Sequence, residues 1–205
     1  MYCEVCGQEF LVRPSCPGPA IGQETISPPK GFTLLHYTLE ALRIVRWNNL
    51  AISRIKDDTR ELPYGIFIWA VSNALPTLLM SLYVPSLARY FSGVGGLITL
   101  LILLAYQAVL GLLHIGLCHL LAKWFCAGDG HFVQVIRPLL LASIVFIVLA
   151  VPIIGALAAG LAWIAVVMMV FEEVHGVEPL TAFLLSAGVG VTLRILQFLL
   201  FKSPF

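Results

Sequence analysis

The chain has 205 residues, 60% hydrophobic and 11% charged, with a formal net charge of +1 and a mean hydropathy of +0.96. A soluble domain carries about 25% charged residues, so the composition excludes an ordinary soluble globule, and the near-neutral balance gives no footing for nucleic-acid binding. Several apolar runs reach the roughly 18 uncharged residues that read as a membrane span, and none alternates as the strands of an outer-membrane barrel do. The expected fold class is therefore all-α: a polytopic membrane protein with about five transmembrane helices, preceded by an amphipathic interfacial helix.

Residues 1–31 read as a polar tail. Cys3 and Cys6, followed by Gly7, form the C-x-x-C-G knuckle in which two thiolates can grip one zinc ion. Cys16 supplies a third ligand, but Pro19 stands where the fourth would fall. The tail is expected to be a degenerate zinc ribbon. It either holds a structural zinc through Cys3, Cys6 and Cys16 or carries reduced cysteines. Pro17, Pro19, Pro28 and Pro29, with glycines between them, mark residues 17–31 as a linker.

Residues 32–62 read as an amphipathic juxtamembrane helix. Leu34, Tyr37, Ala41, Ile44, Val45, Ile52 and Ile55 recur at helical spacing, with Arg43, Arg46 and Arg54 on the opposite face. Such a helix beside a span lies in the headgroup layer, its arginines meeting anionic lipid. The other reading is a helix packed under the bundle with a solvated face.

Residues 63–205 hold the membrane domain. The first expected span is 64–84, with interface aromatics Tyr64, Trp69 and Tyr83, a kink at Pro76, and Asn73 placed to bond a neighbouring helix. The second runs from Gly95 to Phe125, about 45 Å as a helix, longer than the ~30 Å hydrocarbon core. Gly96, Gln107, Gly111, His114 and Cys118 form a small-and-polar stripe on it that should face the bundle. After a polar loop, the 34 uncharged residues from Pro138 to Phe171 divide at Pro152 and Gly155 into spans 134–151 and 154–172. The last span is 180–201. Small residues pattern the final two. Gly155 with Ala159, and Ala156 with Gly160, are small-xxx-small pairs, and Ala182, Ser186 and Gly190 step by four, spacing that lets backbones approach closely. Arg194 continues that face, placed to snorkel, to pair, or to serve a ligand or proton.

Five spans put the termini on opposite sides. With the N-terminus inside, the inner segments hold nine Lys and Arg and the outer ones two. The positive-inside rule then places the N-terminus and the 122–137 and 172–179 loops in the cytoplasm.

One stretch carries a family signal. It comprises His119 to Phe125, the turn with Gly128 and Gly130, Phe132 and Gln134, Ala150 to Gly155, Trp163, and Glu173, Val174, His175 and Gly176 ahead of Ala182. In order and spacing these resemble the Yip domain (Ypt/Rab-interacting protein) family of five-span membrane proteins, and a prokaryotic-type member in particular. The resemblance implies a non-enzymatic role in membrane organisation or trafficking. Eukaryotic members of the family bind prenylated Rab GTPases at Golgi and endoplasmic reticulum, and a prokaryotic member would sit in the cell membrane.

Lipid, a protein partner at the cytoplasmic N-terminal region, and homo- or hetero-oligomers are the expected partners. The rival is a small transporter or channel using Gln107, His114 and Arg194. A third reading makes His114 and Cys118, spaced i, i+4, part of an intramembrane metal site, with Glu173 and His175 nearby. No catalytic motif such as H-E-x-x-H or G-x-S-x-G accompanies them, so no enzyme is expected.

Overall fold

The computed structural model describes residues 33–84, 88–89, 91, 93–152 and 154–200. The cysteine tail, with Cys3, Cys6 and Cys16, lies outside them. The elements are α1 (Thr33–Val45), α2 (Asn49–Ile55), α3 (Glu61–Tyr83), α4 (Gly93–Cys126), α5 (Phe132–Ala142), a 3-10 helix (Ser143–Ala150), α6 (Ile154–His175) and α7 (Pro179–Leu200). Among the described residues there is no strand. Five helices are long and apolar enough to cross a membrane: Glu61–Tyr83, Gly93–Cys126, Phe132–Ala150, Ile154–His175 and Pro179–Leu199. The chain is a multi-pass integral membrane protein.

The amphipathic segment is two helices rather than one. Trp47 takes a left-handed backbone (φ 64°), a conformation that costs a non-glycine residue about 1–2 kcal/mol. It closes α1 with the Asn48 amide donating to the Arg43 carbonyl at 3.1 Å. The Asn48 side chain then caps α2, accepting from the Ala51 amide at 3.2 Å, as Asn does at helix starts. Asn48 is thus the joint between the two helices. Tyr37, Ala41, Ile44, Ala51, Ile52 and Ile55 are all buried, and Tyr37 stacks on Tyr64 of α3 at 4.8 Å. At 100° per residue, Leu35, Leu39 and Leu42 lie on the side of α1 opposite its buried face, and all three are exposed. Arg46 shares that side.

Successive spans alternate in direction. One end of the bundle, here called basal, gathers α1, α2, the start of α3, the end of α4, the start of α5, the end of α6 and the start of α7. The distal end holds the end of α3, the start of α4, the turn at 151–152 and the end of α7. The core lies in the basal half, where Cys118, Ala122, Val135, Leu139, Val166, Val170 and Phe171 are packed together. The helix α3 packs along α5 and the 3-10 helix, and α6 against the 3-10 helix and α7. The long helix α4 packs chiefly against α7. In its distal half Val94, Leu97, Ile98, Leu101 and Ile102 are exposed, an apolar surface suited to lipid.

The small-residue pairs divide between two surroundings. Gly155 and Ala159 are buried, and a Cβ on Gly155 would come within 2.2 Å of the Val148 carbonyl oxygen. This pair seats α6 on the 3-10 helix. The Ala156 and Gly160 pair is exposed, and a Cβ on Gly160 would meet open space, so Gly160 is no part of a packed seam. On α7, Ala182 and Ser186 are buried. The Gly190 Cα faces the His114 ring, whose Nε2 would lie 3.6 Å from a Cβ there.

The acidic break between the last two spans is shorter than the sequence suggested. Glu172 to His175 complete the last turn of α6. Gly176, with φ 64°, ends the helix in the left-handed conformation that glycine adopts without steric cost.

Candidate functional site

Two constellations gather the polar side chains. The first is at the basal end, and its hub is the short connection between α2 and α3, Lys56 to Arg60. Lys56 Nζ lies 3.5 Å from a Glu173 carboxylate oxygen and 3.4 Å from the Glu173 carbonyl. The Lys56 carbonyl accepts from Arg137 Nη1 at 2.8 Å. Asp57 accepts from Gln134 Nε2 at 2.8 Å, while Gln134 Oε1 accepts from the His131 amide at 3.0 Å at the start of α5. Asp58 accepts from the Tyr37 hydroxyl at 2.7 Å and from Arg60 Nε at 3.2 Å. Four such links from Lys56, Asp57 and Asp58 tie α1, α5 and α6 to the α2–α3 joint.

Electrostatics follow from that geometry. Burial pushes the Tyr37 hydroxyl above its ordinary range, and donating to the Asp58 carboxylate pushes it further. Burial alone would raise Asp58, but the hydrogen bonds from Tyr37 and Arg60 outweigh it and hold the carboxyl below the usual range. Glu40, on the buried side of α1, receives Arg43 at 2.6 Å and Arg54 at 3.1 Å. Two of the three arginines expected at the lipid interface therefore each give a donor to an internal carboxylate, while Arg46 is exposed. The carboxylate of Glu61, fully buried in the first turn of α3, and the Nε of Arg137 have no hydrogen-bond partner among the described residues. Gly65, one turn on, leaves the room the Glu61 carboxylate occupies.

Beside this hub, His119 Nδ1 and His175 Nε2 lie 3.0 Å apart, so one imidazole donates to the other. His119 also meets the Phe132 ring edge-on at 5.3 Å. The turn Gly128–Gly130 lies over His175. A Cβ on Gly128 would come within 2.8 Å of His175 Nδ1, and one on Gly130 within 2.5 Å of a Val174 methyl. Only glycine fits at either place without a shift. His119, Gly128, Gly130, Phe132, Gln134, Glu173, His175 and Gly176, distant in sequence, meet here.

The second constellation lines an open cavity of about 920 Å³ between α3, α4, the 3-10 helix, α6 and α7. Its walls are apolar apart from Asn73, Gln107, His114, Trp163, Arg194 and Gln197. His114 Nε2 lies 3.0 Å from the Ser186 carbonyl, and Trp163 Nε1 donates to His114 Nδ1 at 3.5 Å. An indole nitrogen only donates and a carbonyl only accepts, so His114 is the neutral Nε2–H tautomer with both nitrogens engaged. Cys118 Sγ donates to the Leu185 carbonyl at 3.7 Å. His114 and Cys118 do share a face, but both are turned to the α7 backbone, and no group of three His, Cys, Asp or Glu able to hold a metal occurs among the described residues. Near the distal end Arg194 Nη1 donates to Gln197 Oε1 at 3.1 Å, and Gln197 Nε2 donates to the Tyr106 hydroxyl at 2.5 Å. Asn73 turns back on its own helix, donating to the Trp69 carbonyl at 2.8 Å, rather than bonding a neighbour.

The five candidate polar residues thus separate. Gln107, His114 and Arg194 line the cavity, while Glu173 and His175 belong to the basal constellation. Sequence reasoning missed Glu40, Lys56, Glu61, Tyr106 and Gln197. A carboxylate on the apolar stripe was a usable signal for Glu40, and the i, i+3 pairing of Arg194 with Gln197 was another. No local signal announces that Lys56 reaches Glu173.

No family model, curated protein or solved structure matches the chain.

Proposed function

We propose that the protein is a non-enzymatic, membrane-organising or trafficking-type scaffold of the Yip kind, with its basal end in the cytoplasm. The observation that carries the reading is the convergence of eight of the residues resembling that family, while Ala150 to Gly155 and Trp163 lie elsewhere in the bundle. Eight residues from His119 to Gly176 form one contiguous unit at one end of the bundle, so the resemblance follows a three-dimensional constellation and not only an order along the chain. Most of the lysines and arginines gather at the same end, which supports its cytoplasmic placement by the positive-inside rule. The exposed ridge of Leu35, Leu39 and Leu42, with Arg46 beside it, supports α1 lying in the lipid interface, its leucines among acyl chains and its arginine at headgroup level. The tail at residues 1–31 is the proposed partner-binding region, with zinc on Cys3, Cys6 and Cys16 as its fold-stabilising ion.

Crosslinking in the native membrane followed by mass spectrometry tests this reading. Recovery of a GTPase or another peripheral protein crosslinked to residues 1–62 is expected. Crosslinks confined to the distal loops would overturn the assignment of the basal end. Metal analysis of the purified chain beside its Cys3→Ser/Cys6→Ser variant tests the zinc, which should be present in the parent and lost in the variant.

A small transporter is the second reading, and one observation favours it: Gln107, His114 and Arg194 line a single cavity. Substrate-dependent flux in proteoliposomes, abolished by Gln107→Leu or Arg194→Gln, would replace the scaffold reading.

A further inference from the structure

The geometry points to a binding site for an anionic phospholipid in the cavity between α3, α4 and α7, its headgroup held at Arg194 and an acyl chain lying along the apolar walls. Three observations carry it, none of them drawn from the basal end.

The first is charge. Arg194 is the sole ionised side chain lining the cavity. The sequence has no Asp or Glu between Glu61 and Asp129, between Asp129 and Glu172, or after Glu178. The carboxylates of the described residues therefore stand at the basal end of α1 through α7, and none is on the distal half with Arg194. A cation in a span is ordinarily paired or turned to water. Arg194 is exposed and no carboxylate of the described residues stands near it, so an anion that pairs with it would come from outside the described bundle.

The second is position. Arg194 lies six residues, about 9 Å of helix, before Leu200, the last residue of α7. That depth lets a long side chain reach phosphate level at the distal interface. One guanidinium N–H goes to Gln197, whose own amide goes on to Tyr106. A guanidinium has five donors, so the residue is oriented by one bond and still carries donors for a phosphate, in the forked geometry arginine offers to such groups.

The third is shape. The cavity runs from Leu62 and Ile66 on the basal turns of α3 to Phe198 on the distal turn of α7, nearly the depth of the bilayer. Its volume of about 920 Å³ falls at the upper end of the roughly 300–1,000 Å³ typical of ligand sites. An apolar channel of that length with one cation at its distal end matches an amphiphile with an anionic head. A free anion would leave the channel unfilled, and a zwitterionic lipid would leave the charge of Arg194 uncompensated.

The test uses the full chain in a Trp47→Phe/Trp124→Phe background, which leaves Trp69 and Trp163, both on the cavity wall, as reporters. The protein is reconstituted in vesicles of phosphatidylcholine into which brominated phosphatidylglycerol or brominated phosphatidylcholine is titrated, and tryptophan quenching is read. Brominated phosphatidylglycerol is expected to associate about fivefold more strongly, the preference one cation contributes near a membrane surface. Arg194→Gln should bring the ratio to one, and Arg194→Lys should retain most of it. Equal quenching by the two lipids in the parent, or an unchanged ratio in Arg194→Gln, would overturn the site. Loss of the preference in millimolar inorganic phosphate would also overturn it, because a free anion would then be the ligand.

Discussion

The two halves of this bundle solve the problem of polar groups in a membrane protein in opposite ways. The basal half packs its charges against one another: Glu40 between two arginines, Lys56 on Glu173, Asp58 under Tyr37 and Arg60. Loops and helix ends there approach so closely that glycine is required beside His175. The distal half keeps few polar groups, leaves α4 leaning chiefly on α7, and holds the single cation of a channel that starts at the basal turns of α3. Close packing around a polar hub confers rigidity and intolerance to change, whereas an open apolar wall tolerates substitution and admits a lipid. The difference leaves a closely packed basal end and, where the proposed lipid would sit, a more open distal one.

Glycine substitutions should break this contrast most sharply if it is wrong. Gly130→Ala places a Cβ against Val174 side chain and backbone, and Gly155→Ala places one against the Val148 carbonyl. Each should cost about 3 kcal/mol, the upper range for overpacking, read as a lower thermal midpoint in detergent. Gly155 lies near the distal turn but belongs to the 3-10 seam, so its sensitivity also tests whether that seam extends the tight half upward.

A smaller effect is expected at Tyr37. Tyr37→Phe removes a buried hydrogen bond to a carboxylate and should cost about 2 kcal/mol. It should also alter the pH profile. Because the folded state raises the Tyr37 pKa, its contribution is complete below the unfolded value of about 10 and declines as pH rises above it. Asp58, depressed by the fold, contributes fully above its unfolded value of about 4 and loses that contribution as pH falls through its lower folded pKa. The alkaline fall of melting temperature with pH should therefore be smaller in Tyr37→Phe than in the parent chain. An unchanged alkaline limb would sever the Tyr37–Asp58 link.

Lys56→Met should follow with a loss of about 1 kcal/mol, since its partner is only partly buried. Smallest of all, Gly111→Ala and Gly116→Ala on α4 meet open space and should be neutral or stabilise by about 0.5–1 kcal/mol through helix propensity. A large destabilisation at either would show that a packed partner covers α4 at these positions.

Much of the fold was legible in the sequence because a lipid solvent enforces it. Any uncharged run of sufficient length must become a helix, and the five spans fell within a few residues of their observed ends. The α1–α2 joint was not legible, since Trp47 is not a residue type that signals a left-handed turn. The packing of Gly155 and Gly160 was ambiguous for a related reason: spacing identifies a small-residue face but not what lies opposite it. In the cavity, the stripe containing Gln107 and His114 was visible from periodicity alone. Trp163 reaches His114 from another helix, and Tyr106, next to Gln107 in the chain, meets Gln197 only once α4 and α7 pack. The basal hub was least visible. Lys56 to Arg60 reads as a charged linker until the fold brings Glu173, Gln134 and Arg137 to it.

The 3-10 helix has a consequence for how the spans match one another. Wound as an α-helix, the 19 residues of the third span would be about 28 Å long at 1.5 Å per residue. Its neighbours α6 and α7, at 22 residues each, reach about 33 Å. Drawing eight residues out to the 2.0 Å rise of a 3-10 helix lengthens the third span by about 4 Å. The shortest crossing segment is thereby stretched level with α6 and α7, while α4, at 34 residues, outreaches all three.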